Sequence, residues 1–327
     1  MNILILSAGT RNKVVQYFKR EMKDNGKVIV TDCSKLAPAV YEADKFYLVP
    51  RITAPDYLDT VLDICRREKI DGVFSLIDPE LSLLAKEKQR FLEVGTTPII
   101  SPYELVEICF DKYKMYDMLC KMRIPTGKCF VDKEAFYQAE KNGEISYPVF
   151  VKPIKGSASI HINKVYGRDE LEVLFDLYDD LMIQEYMDGT EYGADVYIDM
   201  LSGKCTSIFV KEKIKMRAGE TDKAVSYKDE GLFSMIENFV EKCGFCGMID
   251  MDIFKIGDSY FISEVNPRFG GGYPHAHECG VNMAEQVIRN LRGESNPNTV
   301  GCYKAGICMM KYNEVMIRDM SDTEMMV

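Results

Sequence analysis

The chain has little of what several protein classes require. Basic residues are in the minority, 41 Lys and Arg against 51 Asp and Glu, for a net charge of −10. Such a field repels phosphate backbones and anionic lipid, which argues against nucleic-acid or membrane partners; any polyanion must find a locally basic cleft. Long apolar runs are also missing. Met1-Asn2 is followed only by Ile3–Leu6 before Ser7-Ala8-Gly9, too short for a secretory signal or a membrane span. No disulfide framework is visible: eleven cysteines, an odd number, are scattered through 327 residues. Many lie in apolar stretches, as expected of reduced core thiols in a cytoplasmic protein. Cys243-Gly244-Phe245-Cys246 is a lone CxxC without the second pair that zinc would want, so helix-end packing is the expectation. There is no internal repeat and no low-complexity segment.

What is present is ordinary globular composition, 46% hydrophobic and 28% charged, with length for two or three domains. The first hundred residues alternate regularly. Strands are expected at Asn2–Leu6, Lys27–Thr31, Phe46–Val49, Gly72–Leu76 and Pro98–Ile100, and helices at Asn12–Met22, Tyr57–Glu68 and Pro79–Arg90. That alternation predicts a parallel sheet covered on both faces, a doubly wound domain of about 105 residues. Asp32 ends the second strand where a ribose-binding acid would sit. Ser7–Asn12, however, offers one glycine where a dinucleotide fingerprint needs three. Ser101 reads as an N-cap with Pro102 at the first helical position, opening a helix to Phe110, and a second helix runs from Asp111 to Met122. A β-loop-β-α-β unit follows, with strands Tyr147–Lys152, Ile162–Tyr166 and Leu181–Glu185 and a helix over Asp169–Tyr178. From Glu191 to Asn266 hairpin-like strands surround one helix, Gly231–Cys243.

The most informative stretch is Met248–Ile256 and Tyr260–Asn266, joined by Gly257-Asp258-Ser259 as a three-residue hairpin loop. In that register Asp252 lies opposite Glu264 and Asp250 opposite Asn266, all on one side of the sheet, with Phe254, Ile256, Tyr260 and Ile262 continuing that face. Three carboxylates so close repel one another and call for a cation. Oxygen-only donors select a hard ion, Mg²⁺ or Mn²⁺. A solvated acidic face is the plain alternative. Against it, Pro267-Arg268-Phe269-Gly270-Gly271-Gly272 follows at once, placing an arginine and open backbone amides where a phosphate could bind.

Glu264-Val265-Asn266-Pro267-Arg268 resembles the metal-binding signature of the ATP-grasp superfamily, and Phe269–Gly280 extends the match. Pro148–Pro153 resembles its nucleotide-binding lysine strand. In motif order the chain is most similar to the carbamoyl-phosphate synthase large subunit and its short single-copy relatives. The resemblance implies an α/β fold in three parts. A pre-ATP-grasp domain would span 1–109, a first grasp segment with a small α+β lid 110–188, and a larger, mainly antiparallel segment with the metal site 189–327. Dimerisation is common in the family, so a homodimer is expected on resemblance alone.

Residue by residue, the resemblance implies that Lys112 and Lys152 hold nucleotide phosphates under a lid loop containing Gly156 and Ser157. Glu185, Tyr186 and Met187 would form the hinge at the adenine edge, and Glu191 would accept ribose hydroxyls. Asp252, Glu264 and Asn266 would bind Mg²⁺ bridging the ATP phosphates, with Asp250 nearby but outside the usual ligand set. Arg268 would stabilise the transferring phosphoryl group. Lys213 and Arg217, in the basic run Lys211–Arg217, would face substrate or product phosphate. His161 is expected on the lid surface, and His275 and His277 as lining of the substrate pocket. The implied chemistry is ATP-dependent activation of a small carboxylate as an acyl-phosphate for attack by an amine. Other readings stay open: a nucleotide-binding partner module without turnover and, more distantly, a dehydrogenase on the first domain.

Overall fold

A computed structural model of the chain describes residues 1–156 and 161–319. Its first part is a five-stranded parallel sheet of order β3-β2-β1-β4-β5. The strands are β1 (Asn2–Leu6), β2 (Lys27–Asp32), β3 (Lys45–Leu48), β4 (Gly72–Ser75) and β5 (Thr97–Pro98). Helices α1 (Asn12–Met22), α2 (Tyr57–Glu68), α3 (Asp78–Lys86) and α4 (Lys88–Glu93) flank them. Ile3–Leu6 are buried on both faces, which is why β1 reads as an unbroken apolar run. The chain winds outward through β2 and β3, then returns to place β4 on the other side of β1. The loops leaving β1 and β4 therefore diverge, opening a crevice at the carboxyl ends of these strands. Asp32 is not among the residues lining the main cavity, and its carboxylate accepts the backbone N–H groups of Gly9 and Ser34, both at 2.9 Å.

Two local expectations also change. The helix expected over Pro79–Arg90 is two helices that turn at Glu87, which brings Phe91 into the apolar cluster with Leu81 and Leu84. Ser101 does not cap the next helix, α5 (Tyr103–Phe110). Its hydroxyl instead donates to the Cys246 carbonyl and accepts from the Cys246 N–H, both at 3.1 Å, tying the first part to the last.

After α5 comes α6 (Lys112–Lys121), capped by Asp111, whose side chain accepts from Lys114 N–H at 3.0 Å. The lid holds β6 (Cys129–Phe130), α7 (Lys133–Lys141), β7 (Val149–Pro153), β8 (Asn163–Val165), α8 (Arg168–Leu177) and β9 (Leu181–Glu185), with sheet order β6-β9-β7-β8. Helix α7 has no counterpart in the expectations. Asp132 caps it, and its Phe136, Tyr137 and Ala139 bury against Val149, Val151 and Ile183.

The last part is a six-stranded antiparallel sheet. Its strands are β10 (Thr190–Ile198), β11 (Cys205–Arg217), β12 (Glu220–Tyr227), β13 (Gly247–Ile256), β14 (Ser259–Asn266) and β15 (Cys308–Met310), ordered β14-β13-β10-β11-β12-β15. Helix α9 (Glu230–Cys243) begins at the Asp229 cap and ends at Gly244 in the left-handed region, so the CxxC cysteines flank a helix end; Cys243 Sγ lies 3.6 Å from Met122 Sδ. Helices α10 (Tyr273–Glu278) and α11 (Met283–Leu291) complete it.

His275 and His277 are not pocket lining. Both are buried, His277 stacked on Tyr17 of α1 at 3.6 Å and His275 edge-on to Phe209. The carbonyl of Ile307 can only accept, so His275 Nε2 carries the proton in their 3.0 Å contact, and Nδ1 is left buried without a partner. Burial and then Lys211 pull the His275 pKa down to about 4 from 6.5. The neutral ring is thus the folded form, and its stabilisation is complete above about pH 6.5 and lost as pH falls toward 4. Wild type is expected to lose up to about 3 kcal/mol through this ring across that window, a loss absent from His275→Leu. Urea unfolding of both proteins at pH 7 and pH 4.5 measures the difference.

Candidate functional site

The three parts meet around one cavity of about 600 Å³. The β13–β14 hairpin supplies its acidic wall in the expected register, Asp250 opposite Asn266 and Asp252 opposite Glu264. Beyond that point the expectation is corrected. Ser263 is an extra residue on β14, so Ile253 faces Ile262 and Phe254 faces Phe261, and the turn is two residues, Gly257-Asp258. Gly257 has φ 58°, the positive value that a type II′ turn needs at its first central position. The bulge sends Ile262 to the core, where it is fully buried, so it does not continue the carboxylate face.

Lys213, from β11, sits between two of the acids. Its Nζ donates to Glu191 at 2.8 Å and to Asp252. Burial would lower its pKa, but Asp252 and Glu191 outweigh that and raise it. Asp250 carries the opposite strain: burial, then Asp252 and Asp195, push it up to about 6. Asn266 donates Nδ2 to Glu264 at 3.3 Å, which leaves its amide oxygen available to a cation. Asp252, Glu264 and Asn266 thus present oxygen donors only, the chemistry of a hard ion. Among the described residues no group of three or more His, Cys, Asp or Glu is arranged to hold a metal by itself. The set suits Mg²⁺ completed by phosphate oxygens and water, which is how Mg²⁺ usually binds.

Lys152, buried on β7, and Lys112, at the start of α6, line the same cavity. Lys112 Nζ donates to the Gly156 carbonyl at 2.5 Å, and burial pulls its pKa down. Gly156 also lines the cavity; Ser157 lies outside the described residues. Glu185 and Met187 line it as well, although the Glu185 carboxylate is held by the Lys128 N–H at 2.9 Å and its own N–H donates to the Lys128 carbonyl at 2.8 Å. Tyr186 packs on Phe150 with Lys164 Nζ 3.5 Å from its ring centroid. His161 is exposed on the lid beside Tyr178, as expected.

Arg268 grips Asp78 through two bonds, Nε to Oδ1 at 2.8 Å and Nη2 to Oδ2 at 3.1 Å, with Asp250 at 3.9 Å. Burial would lower its pKa, yet Asp78 and Asp250 raise it. Arg217 is at the rim, half-exposed, and donates to Asn313 Oδ1 at 2.8 Å. Three residues that sequence reasoning missed belong to this site: Arg11 in the loop after β1, Asp78 after β4, and Glu220 at the start of β12. Arg11 pairs with Glu220 at 2.9 Å, and burial pulls the Arg11 pKa down. Arg11 and Asp78 leave the two strands that border the crevice, and the Ser7–Asn12 loop contributes an arginine rather than a glycine-rich dinucleotide turn.

Comparison with known proteins agrees with the geometry. A family model described as ATP-grasp domain matches residues 109–272, and one described as PylC-like, N-terminal domain matches residues 3–99. The arginine-specific carbamoyl phosphate synthase large chain of Geobacillus stearothermophilus is 25% identical over 284 residues, covering 83% of this chain and 26% of its own. The chain therefore spans about a quarter of the length of that relative. Among solved structures, the biotin carboxylase domain of Hydrogenobacter thermophilus 2-oxoglutarate carboxylase, with MgADP, ADP and bicarbonate, superposes with a TM-score of 0.71 at 18% identity. It covers 90% of this chain and 70% of that one. The Staphylococcus aureus N5-carboxyaminoimidazole synthetase complexed with ADP gives 0.72 at 17%, covering 91% and 78%. With the grasp model matched over half its length and the hairpin, lysines and lid in one cavity, this chain belongs to the ATP-grasp family.

Proposed function

We propose that this protein is an ATP- and Mg²⁺-dependent ligase that joins a small carboxylic acid to an amine. The observation that carries the reading is the convergence on one cavity of two lysines, an all-oxygen donor set and Arg268, brought from three parts of the chain. The segments 1–109, 110–188 and 189–327 would act as the three walls of that cavity. In this reading Lys112 and Lys152 hold the ATP phosphates, the backbone of Glu185–Met187 meets the adenine edge, and Glu191 accepts the ribose. Asp252, Glu264 and Asn266 would hold Mg²⁺, which supplies neutralisation of phosphate charge when bound. Lys213 keeps Asp252 and Glu191 from repelling one another before nucleotide arrives.

Arg268 is already charged, buried and held by Asp78, so it stands ready to stabilise charge on the transferring phosphoryl group without reorganising. A carboxylate oxygen of the substrate attacks the γ-phosphorus, the bond to ADP breaks, and an acyl-phosphate forms. The amine nitrogen then makes the C–N bond as the C–O bond to phosphate breaks, and its surplus protons pass to solvent. No protein nucleophile is needed.

The test is phosphate release from Mg-ATP on incubation with pools of small carboxylic acids and amines, bicarbonate included. Release that requires one acid and one amine together is the expected result. Tight Mg-ATP binding without release from any pool would favour the partner-module reading instead.

A further inference from the structure

The short loop that carries Asp78 into the cavity is clasped at its base by a buried carboxyl, Glu80. Leu76, Ile77 and Asp78, leaving β4 for α3, all line the cavity. Ser75 precedes them and Glu80 follows, and the two are joined, Ser75 Oγ donating to Glu80 Oε2. The Ser75 hydroxyl also accepts the Ile77 N–H at 3.2 Å, and the Glu80 N–H donates to the Ile77 carbonyl at 3.3 Å. Both backbone polar groups of Ile77 are therefore bonded to the clasp. Tyr57 Oη, from the start of α2, donates to the other carboxyl oxygen, Oε1. Ser7, in the loop after β1 and at a φ of 48° that few non-glycine residues adopt, brings its side chain against the same carboxyl. One acid thus ties both loops that border the crevice, the one leading to Arg11 and the one carrying Asp78.

Glu80 sits there at a cost. It is 1% exposed, and among the described residues no lysine or arginine pairs with it. Burial pushes its pKa up, and Asp32 adds to the rise. A buried acid matched only by hydroxyls contributes less to stability than an apolar side chain of similar size in an apolar setting. Leu81 and Leu84 of the same helix already supply the apolar cluster beneath it. What the clasp does fix is the seat of Asp78, which holds Arg268 through two bonds. We propose that Glu80 is a positioning residue: through Ser75 and Tyr57 it holds the Leu76–Asp78 loop so that Asp78 keeps the Arg268 guanidinium fixed in the cavity. That Arg268 then acts on a phosphoryl group rests on the ligase reading above; the holding of Arg268 does not.

The experiment follows hydrogen exchange of the Arg268 Nε–H by NMR, in the full chain labelled with ¹⁵N. The resonance is identified by its absence from Arg268→Lys, and the backbone amides of β1 serve as the control for global opening. Glu80→Leu is expected to speed exchange at Arg268 by roughly 10-fold or more while the β1 amides exchange as in wild type. Glu80→Gln can still accept from one hydroxyl and donate to the oxygen of the other, so it should stay within about 3-fold of wild type. Ser75→Ala opens the clasp from its other side and should act as Glu80→Leu does, which decides the matter if the leucine variant does not fold. Phosphate release should rank the variants in the same order, falling roughly 10–100-fold in Glu80→Leu, the scale of a small misplacement of a charged group. Unchanged exchange at Arg268 in folded Glu80→Leu or Ser75→Ala overturns the inference. So does equal acceleration at Arg268 and the β1 amides, which would make Glu80 a general support of the fold. Absence of phosphate release by wild type contradicts the ligase reading instead, and the exchange measurement then decides the holding of Arg268 alone.

Discussion

Glu264→Gln is expected to lower Mg-ATP-dependent phosphate release on the order of 10²–10³-fold, the scale of removing one well-placed electrostatic contact in an active site. The substitution keeps shape and hydrogen-bonding capacity and removes one negative charge from the oxygen donors. Two further outcomes separate a metal role from a structural one. Raising Mg²⁺ should recover part of the activity, because the deficit lies in ion affinity. Without Mg²⁺ the variant should unfold at or above the wild-type temperature, because Glu264 faces Asp252 across the hairpin and its one side-chain hydrogen-bond partner among the described residues is Asn266 at 3.3 Å. Like charges opposed on a ladder destabilise it, so removing one relieves the fold. A variant that both loses activity and melts early would mark Glu264 as a structural residue.

Arg268→Met is expected to be severe in two ways at once. Activity should fall on the order of 10³-fold, because the guanidinium that would stabilise the transferring phosphoryl group disappears. Stability should drop by about 3–5 kcal/mol, because Asp78 is left buried with its fork partner gone. The two losses can be pulled apart. Adding Asp78→Asn to Arg268→Met removes the stranded charge and should restore much of the stability while restoring none of the activity. Arg268→Lys keeps a charge but not the planar fork, so it should rank between wild type and methionine in both respects. Chemical denaturation and phosphate release on the four proteins form the measurement.

How far the sequence could be read depended on the distance over which each feature is decided. β1 and α2 have their expected ends, Asn2–Leu6 and Tyr57–Glu68, because their burial pattern is written in consecutive residues. The hairpin pairs Asp250–Asn266 and Asp252–Glu264 stand as expected because two departures cancel: the turn is one residue shorter than the three-residue loop expected, and the bulge adds one residue back. The bulge at Ser263 was not legible, since nothing in the local alternation of Phe261–Glu264 announces an extra residue. Arg11, Asp78 and Glu220 were missed for a different reason. Each is an unremarkable polar residue locally, and they become a site only when β1, β4 and β12 are brought together. His275 and His277 misled in the opposite direction: HxH after a glycine run suggests a pocket, whereas Tyr17 and Phe209 draw both rings into the core.

The wide sequence separation of the paired charges has a consequence for how the protein is made. Arg11 leaves the ribosome long before Glu220, and Asp78 long before Arg268, separations of roughly 200 residues. At about 5–20 residues per second that is a delay of roughly 10–40 s. Through that interval the newly made N-terminal sheet must carry Arg11 and Asp78 in water, as solvated charges on an open rim. Such a rim resists association with other unfinished chains, and its charges become buried and matched only when the second half arrives. The pairs that build the active-site wall would then also guard the nascent protein while it waits for completion.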